Sequence, residues 1–426
     1  MIELGILADD LTGGMMVASL LEREGVECPL VSSVEGLPCI AESTADAVVV
    51  ARKIRLIDPI EAQREAIKTV KALQSIGCKR FFYKYCATFD STEKGNIGPI
   101  ADAMLEALSC DHTLFCPAFP EYTVTIFQGR MFLGSTPLGE SFKRADPVTP
   151  MTNSNLIEVL QSQSRHPVGL ISHATLIRGK AAAEEHISQN NSQRFFVADA
   201  ADDSDLERIA DLALDWPLTT GADALPVFLA RAWKQASNQM SRKKPKTLLP
   251  ASPGGEAFIA GSCATPTLRQ LEHFERSHPR FQVDIVKAAE DPNYVGSILD
   301  WAKHNIMRGP VAVSSSADVN ELRRTQDTLG VEGAAQQADH ILGKVAKGLF
   351  DLGVRKFVVA GGETSGQVIN SLGITNVKVS SFDNLSGGYC HQSGKNPVSF
   401  VLKAGAIGKE NFVFDALERM RMAERK

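Results

Sequence analysis

The chain has no apolar run long enough to span a bilayer, so a membrane-embedded protein is not expected. It also has no surplus of positive charge. With 45 Lys+Arg against 50 Asp+Glu the formal net charge is −5, which leaves no basic field to draw in a nucleic acid backbone. The 8 cysteines are scattered, without the paired spacing of a metal site. The opening Met1-Ile2-Glu3-Leu4-Gly5-Ile6-Leu7-Ala8 reads as a strand and not as a cationic, apolar leader. Together these absences predict reduced thiols in a cytoplasmic protein. Two nucleotide fingerprints are missing as well. No GxGxxG spacing is present, and no lysine follows a glycine run as a Walker motif requires. A nicotinamide-dependent dehydrogenase is therefore a remote reading.

What is present is ordinary globular material. The 426 residues are 44% hydrophobic and 22% charged, enough for two domains with a full core each. Short strand-like runs alternate with helix-like segments along most of the length. That alternation predicts an α/β fold of two domains, each with a largely parallel sheet flanked by helices, and an active site in the cleft between them. The expected first domain is residues 1–240. The polar, basic stretch Ser241-Arg242-Lys243-Lys244-Pro245-Lys246 opens an expected linker, 241–256, and the second domain is 257–426.

The densest chemistry lies in Lys84 to Gly98, between the strand-like Arg80-Phe81-Phe82-Tyr83 and a helix expected over Ile100 to Leu108. Open α/β sheets place ligands at such strand-to-helix crossings. The loop offers a cation (Lys84), a carboxylate (Asp90), hydroxyls (Ser91, Thr92) and close backbone approach at Gly95, a set suited to a small hydroxylated anion. An ordinary polar connection is the plain alternative. Asp9 and Asp10 follow the first strand directly. Two adjacent carboxylates there need a cation, a metal or substrate hydroxyls beside them, unless Asp10 merely caps the next helix. The Val-rich strand Asp46 to Ala51 delivers Arg55 to its carboxyl end, before a helix with Asp58 as N-cap and Pro59 at its first position.

The stretch from Phe127 to Met151 is long and irregular, which fits either a flap or a homodimer contact. In the second half, Phe281 to Val286 is an expected strand. Lys356 to Ala360 runs into Gly361-Gly362-Glu363-Thr364-Ser365-Gly366 and a helix expected from Gln367 to Leu372. Glycines at a strand-to-helix turn let backbone N–H groups approach a phosphate, with Thr364 and Ser365 as hydroxyl donors and Glu363 to orient a metal-bound water or a nucleotide hydroxyl. A tight turn without a ligand is the alternative. Ala404-Gly405-Ala406 after the last strand is a second small-residue loop.

These loops together resemble the four-carbon acid sugar kinase family, over nearly the whole chain. Ala8-Asp9-Asp10-Leu11-Thr12-Gly13 is similar to its ADDxTG signature, and Lys84 to Gly98 to KYCSTFDSTxxGNIGP, the form of the 3-oxo-tetronate branch. Pro117 to Pro120, Pro137 to Ser141, Asp146 to Met151, Gly261-Ser262-Cys263 and Gly361 to Gly366 resemble further family segments. The resemblance implies transfer of the ATP γ-phosphate, with Mg2+, to a hydroxyl of a four-carbon sugar acid, in that branch 3-oxo-tetronate to 3-oxo-tetronate 4-phosphate. It implies Asp10, Lys84 and Asp90 as catalytic groups. Asp9, Arg55, Tyr85, Cys86, Ser91, Thr92, Gly95 and Asn96 would bind the acid. Ser262, Gly361, Gly362, Glu363, Thr364, Ser365, Gly366 and Gly405 would bind ATP, and no protein metal ligand is assigned.

The departures from the family gather on the acid side. Gly14-Met15-Met16 lacks the usual acidic residue, Tyr122-Thr123-Val124 stands where Asn-Gly-Arg is usual, and Ala87 replaces a serine. On the nucleotide side, Ala406-Ile407 replaces Asn-Phe. Such changes point to an altered acceptor or weakened activity, so a kinase for another small hydroxy acid and a non-catalytic sugar-acid and nucleotide-binding homologue remain the alternatives.

Overall fold

The structure is a computed structural model that describes residues 2–146, 148–237, 244–317, 319–385 and 387–425. It divides into two compact units, Met1–Pro245 and Lys246–Lys426. Residues 241–243 of the expected linker, and 238–240 before them, lie outside the described residues.

The strands of the first unit are β1 (Leu4–Ala8), β2 (Leu30–Val31), β3 (Ala47–Ala51), β4 (Arg80–Lys84), β5 (Thr113–Cys116), β6 (Val124–Phe127), β7 (Arg130–Leu133), β8 (Thr136–Pro137), β9 (Val168–Ile171), β10 (Phe195–Ala198) and β11 (Leu218–Gly221). Its helices are α1 (Leu11–Arg23), α2 (Pro38–Ala41), α3 (Pro59–Ser75), α4 (Ile97–Leu108), α5 (Leu156–Gln163), α6 (His173–Leu176), α7 (Lys180–Gln189), α8 (Asp203–Leu212) and α9 (Leu225–Ser237). The main sheet has the order β2-β3-β1-β4-β11-β5-β10-β9, every neighbouring pair parallel. Every residue of β1 and β3 is buried. That is why these strands read as continuous apolar runs and not as alternations.

Register is what builds the site. Ala8 pairs with both Ala51 and Lys84, Lys84 with Gly221, and Gly221 with Cys116. The strands therefore end level, and the residues that follow each of them emerge along one edge. The helix after β3 starts as its sequence predicts: Asp58 caps it by accepting from the N–H groups of Ile60 and Glu61, with Pro59 at the first position. Helix α4 starts at Ile97, a turn earlier than the expected Ile100. The stretch 127–151 opens on a small antiparallel sheet, β6-β7-β8, and continues as two short 3-10 turns, Leu138–Glu140 and Phe142–Ala145.

The second unit has strands β12 (Gly255–Ala260), β13 (Arg280–Gln282), β14 (Val311–Ser314), β15 (Val354–Ala360), β16 (Asn376–Val379), β17 (Tyr389–Gln392) and β18 (Val398–Lys403). Its helices are α10 (Thr265–Glu275), α11 (Ile285–Glu290), α12 (Tyr294–Asn305), α13 (Val319–Leu329), α14 (Val331–Asp351), α15 (Gly362–Ser371) and α16 (Phe412–Met422). The sheet order is β13-β14-β12-β15-β18-β17-β16, parallel up to β18 and antiparallel through β17 and β16. Phe258, Phe274, Val358, Val401 and Leu417 belong to its buried core. The expected strand Phe281 to Val286 stops at Gln282, because Asp284 accepts from Lys287 N and starts a helix. In this unit too the strand ends are level: Ala260 pairs with Ser314 and Ala360, and Ala360 with Lys403.

The cap at α3 yields a direct test. Asp58→Ala is expected to lower stability by about 1 kcal/mol, read as a fall in the urea midpoint with an unchanged slope.

Candidate active site

Five charged groups meet at the level strand ends of the first unit. Arg55 donates from Nε to Asp9 Oδ2 at 2.9 Å and from Nη2 to Asp9 Oδ1 and Asp10 Oδ1, both at 2.7 Å. Asp10 also caps α1, accepting from Gly13 N at 3.1 and 3.2 Å. Asp10 is therefore at once the cap of α1 and a member of the charge cluster. Lys84 is buried; its Nζ donates to Tyr85 O at 2.6 Å and pairs with Asp223 Oδ1 at 3.4 Å. Gly13 belongs here because a Cβ on it would sit 2.5 Å from Asp10 Oδ1 and 2.7 Å from Lys84 Nζ.

Burial and charge compete across this cluster. Burial raises the Asp9 carboxyl above its ordinary value, and Arg55 only partly offsets it. For Asp10 burial pushes the same way, but Arg55, Lys84 and the Gly13 N–H outweigh it and hold the carboxyl low. Burial opposes the Lys84 ammonium, yet Asp223, Asp10 and Asp9 together raise its pKa. Asp9 has a side-chain exposure of 2% and Asp10 one of 30%. Asp10 is thus the ionised carboxylate of the pair that a solute can reach.

The central loop is bound mostly to itself. Asp90 accepts from Thr88 Oγ1 at 2.6 Å and from the Cys86 thiol at 3.1 Å. Burial, with Asp90 beside it, pushes that thiol up to about 11, so it stays protonated and serves as a donor. Phe89 and Asp90 have φ of 63° and 26°, a left-handed turn that aims the carboxylate back at the loop. Ser91 Oγ accepts from Gln163 Nε2 at 2.8 Å, and a Cβ on Gly95 would overlap that Ser91 hydroxyl. The close approach at Gly95 is therefore to the protein's own side chain. Tyr85 is fully buried, with its hydroxyl 3.2 Å from Thr220 Oγ1 and its ring against Tyr83, Phe89 and Phe115. Buried Asn96 donates to Ile54 O at 2.9 Å and Ile57 O at 2.8 Å, so it fixes the segment that carries Arg55. Thr92, half-buried, accepts from Lys94 N at 3.3 Å.

Two residues of this region escape a reading of the sequence. Asp223, two residues beyond β11, completes the cluster at Lys84. Its signal is the one that marked Asp9, an acid just past a strand. Lys143, buried, bridges Asp90 Oδ1 and Asp146 Oδ2, each at 2.8 Å. Met151 is buried in the same place, its sulfur accepting from Ser91 N at 3.3 Å. The segment 138–151 is thus strapped onto the central loop of its own unit.

In the second unit Ser262 follows β12, Gly361 follows β15 and Gly405 follows β18, at three adjacent strand ends. The expected loop 361–366 is instead mostly helix: α15 begins at Gly362, because Gly361 alone, at φ 125°, makes the turn. Gly362 and Glu363 are exposed on its first turn, while Thr364 and Ser365 are buried. Thr364 Oγ1 donates to Asp339 Oδ1 at 2.9 Å, and the Ser365 hydroxyl is buried without a partner. Neither α10 nor α15 has a side-chain cap, so their first N–H groups remain for an anion. A Cβ on Gly405 would overlap Ser262 Oγ, which is why that loop is built of small residues. Among the described residues no group of three acidic, histidine or cysteine side chains could hold a metal, and no helix is long and apolar enough to cross a membrane. All eight cysteines are free.

Comparison with known proteins gives the same division of the chain. Residues 4–228 match a family model described as a sugar-binding N-terminal domain, and residues 257–413 one described as a nucleotide-binding C-terminal domain. The chain is 36% identical to the 3-oxo-tetronate kinase of Pseudomonas fluorescens over 98% of its own length and 97% of that protein's. It is equally, 36%, identical to the 3-oxo-tetronate kinase of Burkholderia multivorans, over 98% and 97% of the two chains. A crystal structure of a Haemophilus influenzae protein superposes with a TM-score of 0.78 at 31% identity, covering 98% of this chain and 100% of that one.

Two expectations follow from the geometry. Asn96→Ala strips the buried Ile54 carbonyl and the half-buried Ile57 carbonyl of their donor, and should lower stability by about 1–3 kcal/mol in urea unfolding. Burial opposes ionisation of Asp146, but the bonds from Lys143, Thr149 N and Val148 N outweigh it and hold its carboxyl at about 2. A depressed folded value means stabilisation present above the ordinary 3.8 and lost as pH falls through about 2. Acid titration should show Asp146 protonating well below the ordinary carboxyl range, with amide protection at Val148 and Thr149 lost in the same pH range.

Proposed function

This chain belongs to the four-carbon acid sugar kinase family and is a kinase, and we propose from that premise that it transfers the γ-phosphate of ATP to a hydroxyl of a four-carbon sugar acid, with 3-oxo-tetronate as acceptor and 3-oxo-tetronate 4-phosphate as product. The observation that carries the acceptor side is the ionised, accessible Asp10 carboxylate, held at a strand end by Arg55 and Gly13. In this reading Asp10 accepts the proton of the attacking hydroxyl. Arg55 and Lys84 fix the carboxylates and balance their charge, and Lys84 is turned inward, so it acts through Asp10 and Asp223 and not on solvent. Asp90, tied to Lys143, orients the loop around the acid.

The donor side rests on the N–H groups of α15 and α10, with Ser262, Gly361 and Gly405 lining the same strand ends. Phosphoryl transfer asks chiefly for positioning and charge neutralisation. Mg2+ suits the donor set, because this ion keeps water and phosphate oxygens and needs few protein carboxylates. Exposed Glu363 on the first turn of α15 is the carboxylate that would hold it, and the ion would neutralise phosphate charge. A cytoplasmic setting belongs to the same proposal, in which the scattered cysteines are reduced thiols.

The test is ADP release from Mg-ATP with 3-oxo-tetronates, threonates and erythronates. Turnover confined to a 3-oxo-tetronate is expected; turnover of only some other hydroxy acid would replace the acceptor, and ATP binding without turnover would make the protein a binding homologue. In the active enzyme Asp10→Asn should lower kcat by roughly 100-fold or more while ATP affinity holds.

A further inference from the structure

Four lysines are buried among the described residues: Lys84, Lys143, Lys356 and Lys403. A buried ammonium is costly unless an anion compensates it. Lys84 has Asp223, Lys143 has Asp90 and Asp146, and Lys356 has Glu424 with Glu256 at 3.9 Å. Among the described residues Lys403 has no carboxylate partner. Its Nζ donates only to neutral oxygens, Thr267 Oγ1 at 3.0 Å and Gly405 O at 3.4 Å, with the Phe412 ring 5.9 Å away.

Its place in the fold says which anion is missing. Lys403 is the last residue of β18 and pairs with Ala360, the last of β15. Its carbonyl accepts from Gly361 N at 2.9 Å. Its ammonium lies at the first turn of α10, whose N-terminus has no side-chain cap, through Thr267, and Thr267 Oγ1 donates in turn to Gly405 O at 2.8 Å. The glycine run at 361–366 has no lysine of its own. We propose that Lys403 is the phosphate-binding cation of the donor site, supplied from the neighbouring strand and compensated only when a polyphosphate is bound. Desolvation holds its ammonium down at about 8, so at neutral pH it is still largely charged. This assignment rests on the reading of the second unit as the ATP-binding half.

The experiment measures the affinity of the full chain and of two variants, Lys403→Met and Lys403→Gln, for Mg-ATP, Mg-ADP, tripolyphosphate and adenosine. Removing an uncompensated buried charge should leave the melting temperature unchanged or raised. Both variants should lose roughly 10- to 100-fold in affinity for ATP and tripolyphosphate and none for adenosine. The Gln variant keeps the hydrogen bonds to Thr267 and Gly405 without the charge, so wild-type ATP affinity in it would overturn the assignment. So would an equal loss for adenosine and ATP, the mark of a damaged fold. If tripolyphosphate binds through Lys403 and ATP does not bind at all, the ATP reading fails and the anion site stands. If the wild type binds ATP and neither variant weakens it, the reverse holds, and a wild type that binds neither polyphosphate overturns both.

Discussion

The first unit of this protein is built around charges that are tolerable only in company. Asp9, Arg55, Asp10, Lys84 and Asp223 meet where four parallel strands end level. Two of them, Asp9 and Lys84, are almost wholly buried. Alone, either would cost several kcal/mol in desolvation. Joined, they form a chain of alternating sign in which each group is held by the next. Local sequence features follow from that demand. Gly13 has no side chain because Asp10 and Lys84 occupy the space one would need, and Asn96 spends its amide on the segment that presents Arg55.

Most of this cluster was legible, for a simple reason. A charged residue at or just past the end of a short apolar strand has few structural uses, and Asp9, Asp10, Arg55 and Lys84 all stand there. Asp223 stands there too, but β11 is Leu218-Thr219-Thr220-Gly221, too polar and too short to read as a buried strand. Both its threonines are buried, and Thr220 Oγ1 donates to Leu114 O at 2.8 Å. Lys143 could not be read at all, since only the folding back of 138–151 brings it to Asp90. The glycine run was located correctly and its conformation was not. Glycines suggest a loop, but one residue at positive φ is enough to turn the chain, and the rest continue as helix. Roles inferred for Tyr85, Ser91 and Gly95 from a shared motif also look different in space, where all three serve the loop's own packing.

The departures from the family pattern can now be located. Met16, which stands where an acidic residue is usual, is half-buried in α1. Thr123 has φ 56°, where the family usually has the glycine of Asn-Gly-Arg. A β-branched residue fits this left-handed turn poorly. Val124, in place of the arginine, is buried at the start of β6.

In the proposed function the two sites treat buried charge in opposite ways, and their ligands differ in the same sense. A sugar acid carries a single negative charge, and the acid side holds its cations already matched by carboxylates, leaving backbone and hydroxyl groups to sort one hydroxylated anion from another. A nucleoside triphosphate is a polyanion. A site with every cation matched would gain little from its charge, whereas uncapped helix ends and an unmatched lysine gain strongly. The arrangement also explains why Lys403 carries no carboxylate. A permanent partner would stabilise the free protein by competing for the same ammonium that a phosphate would use, and the energy of that pairing would be lost from binding.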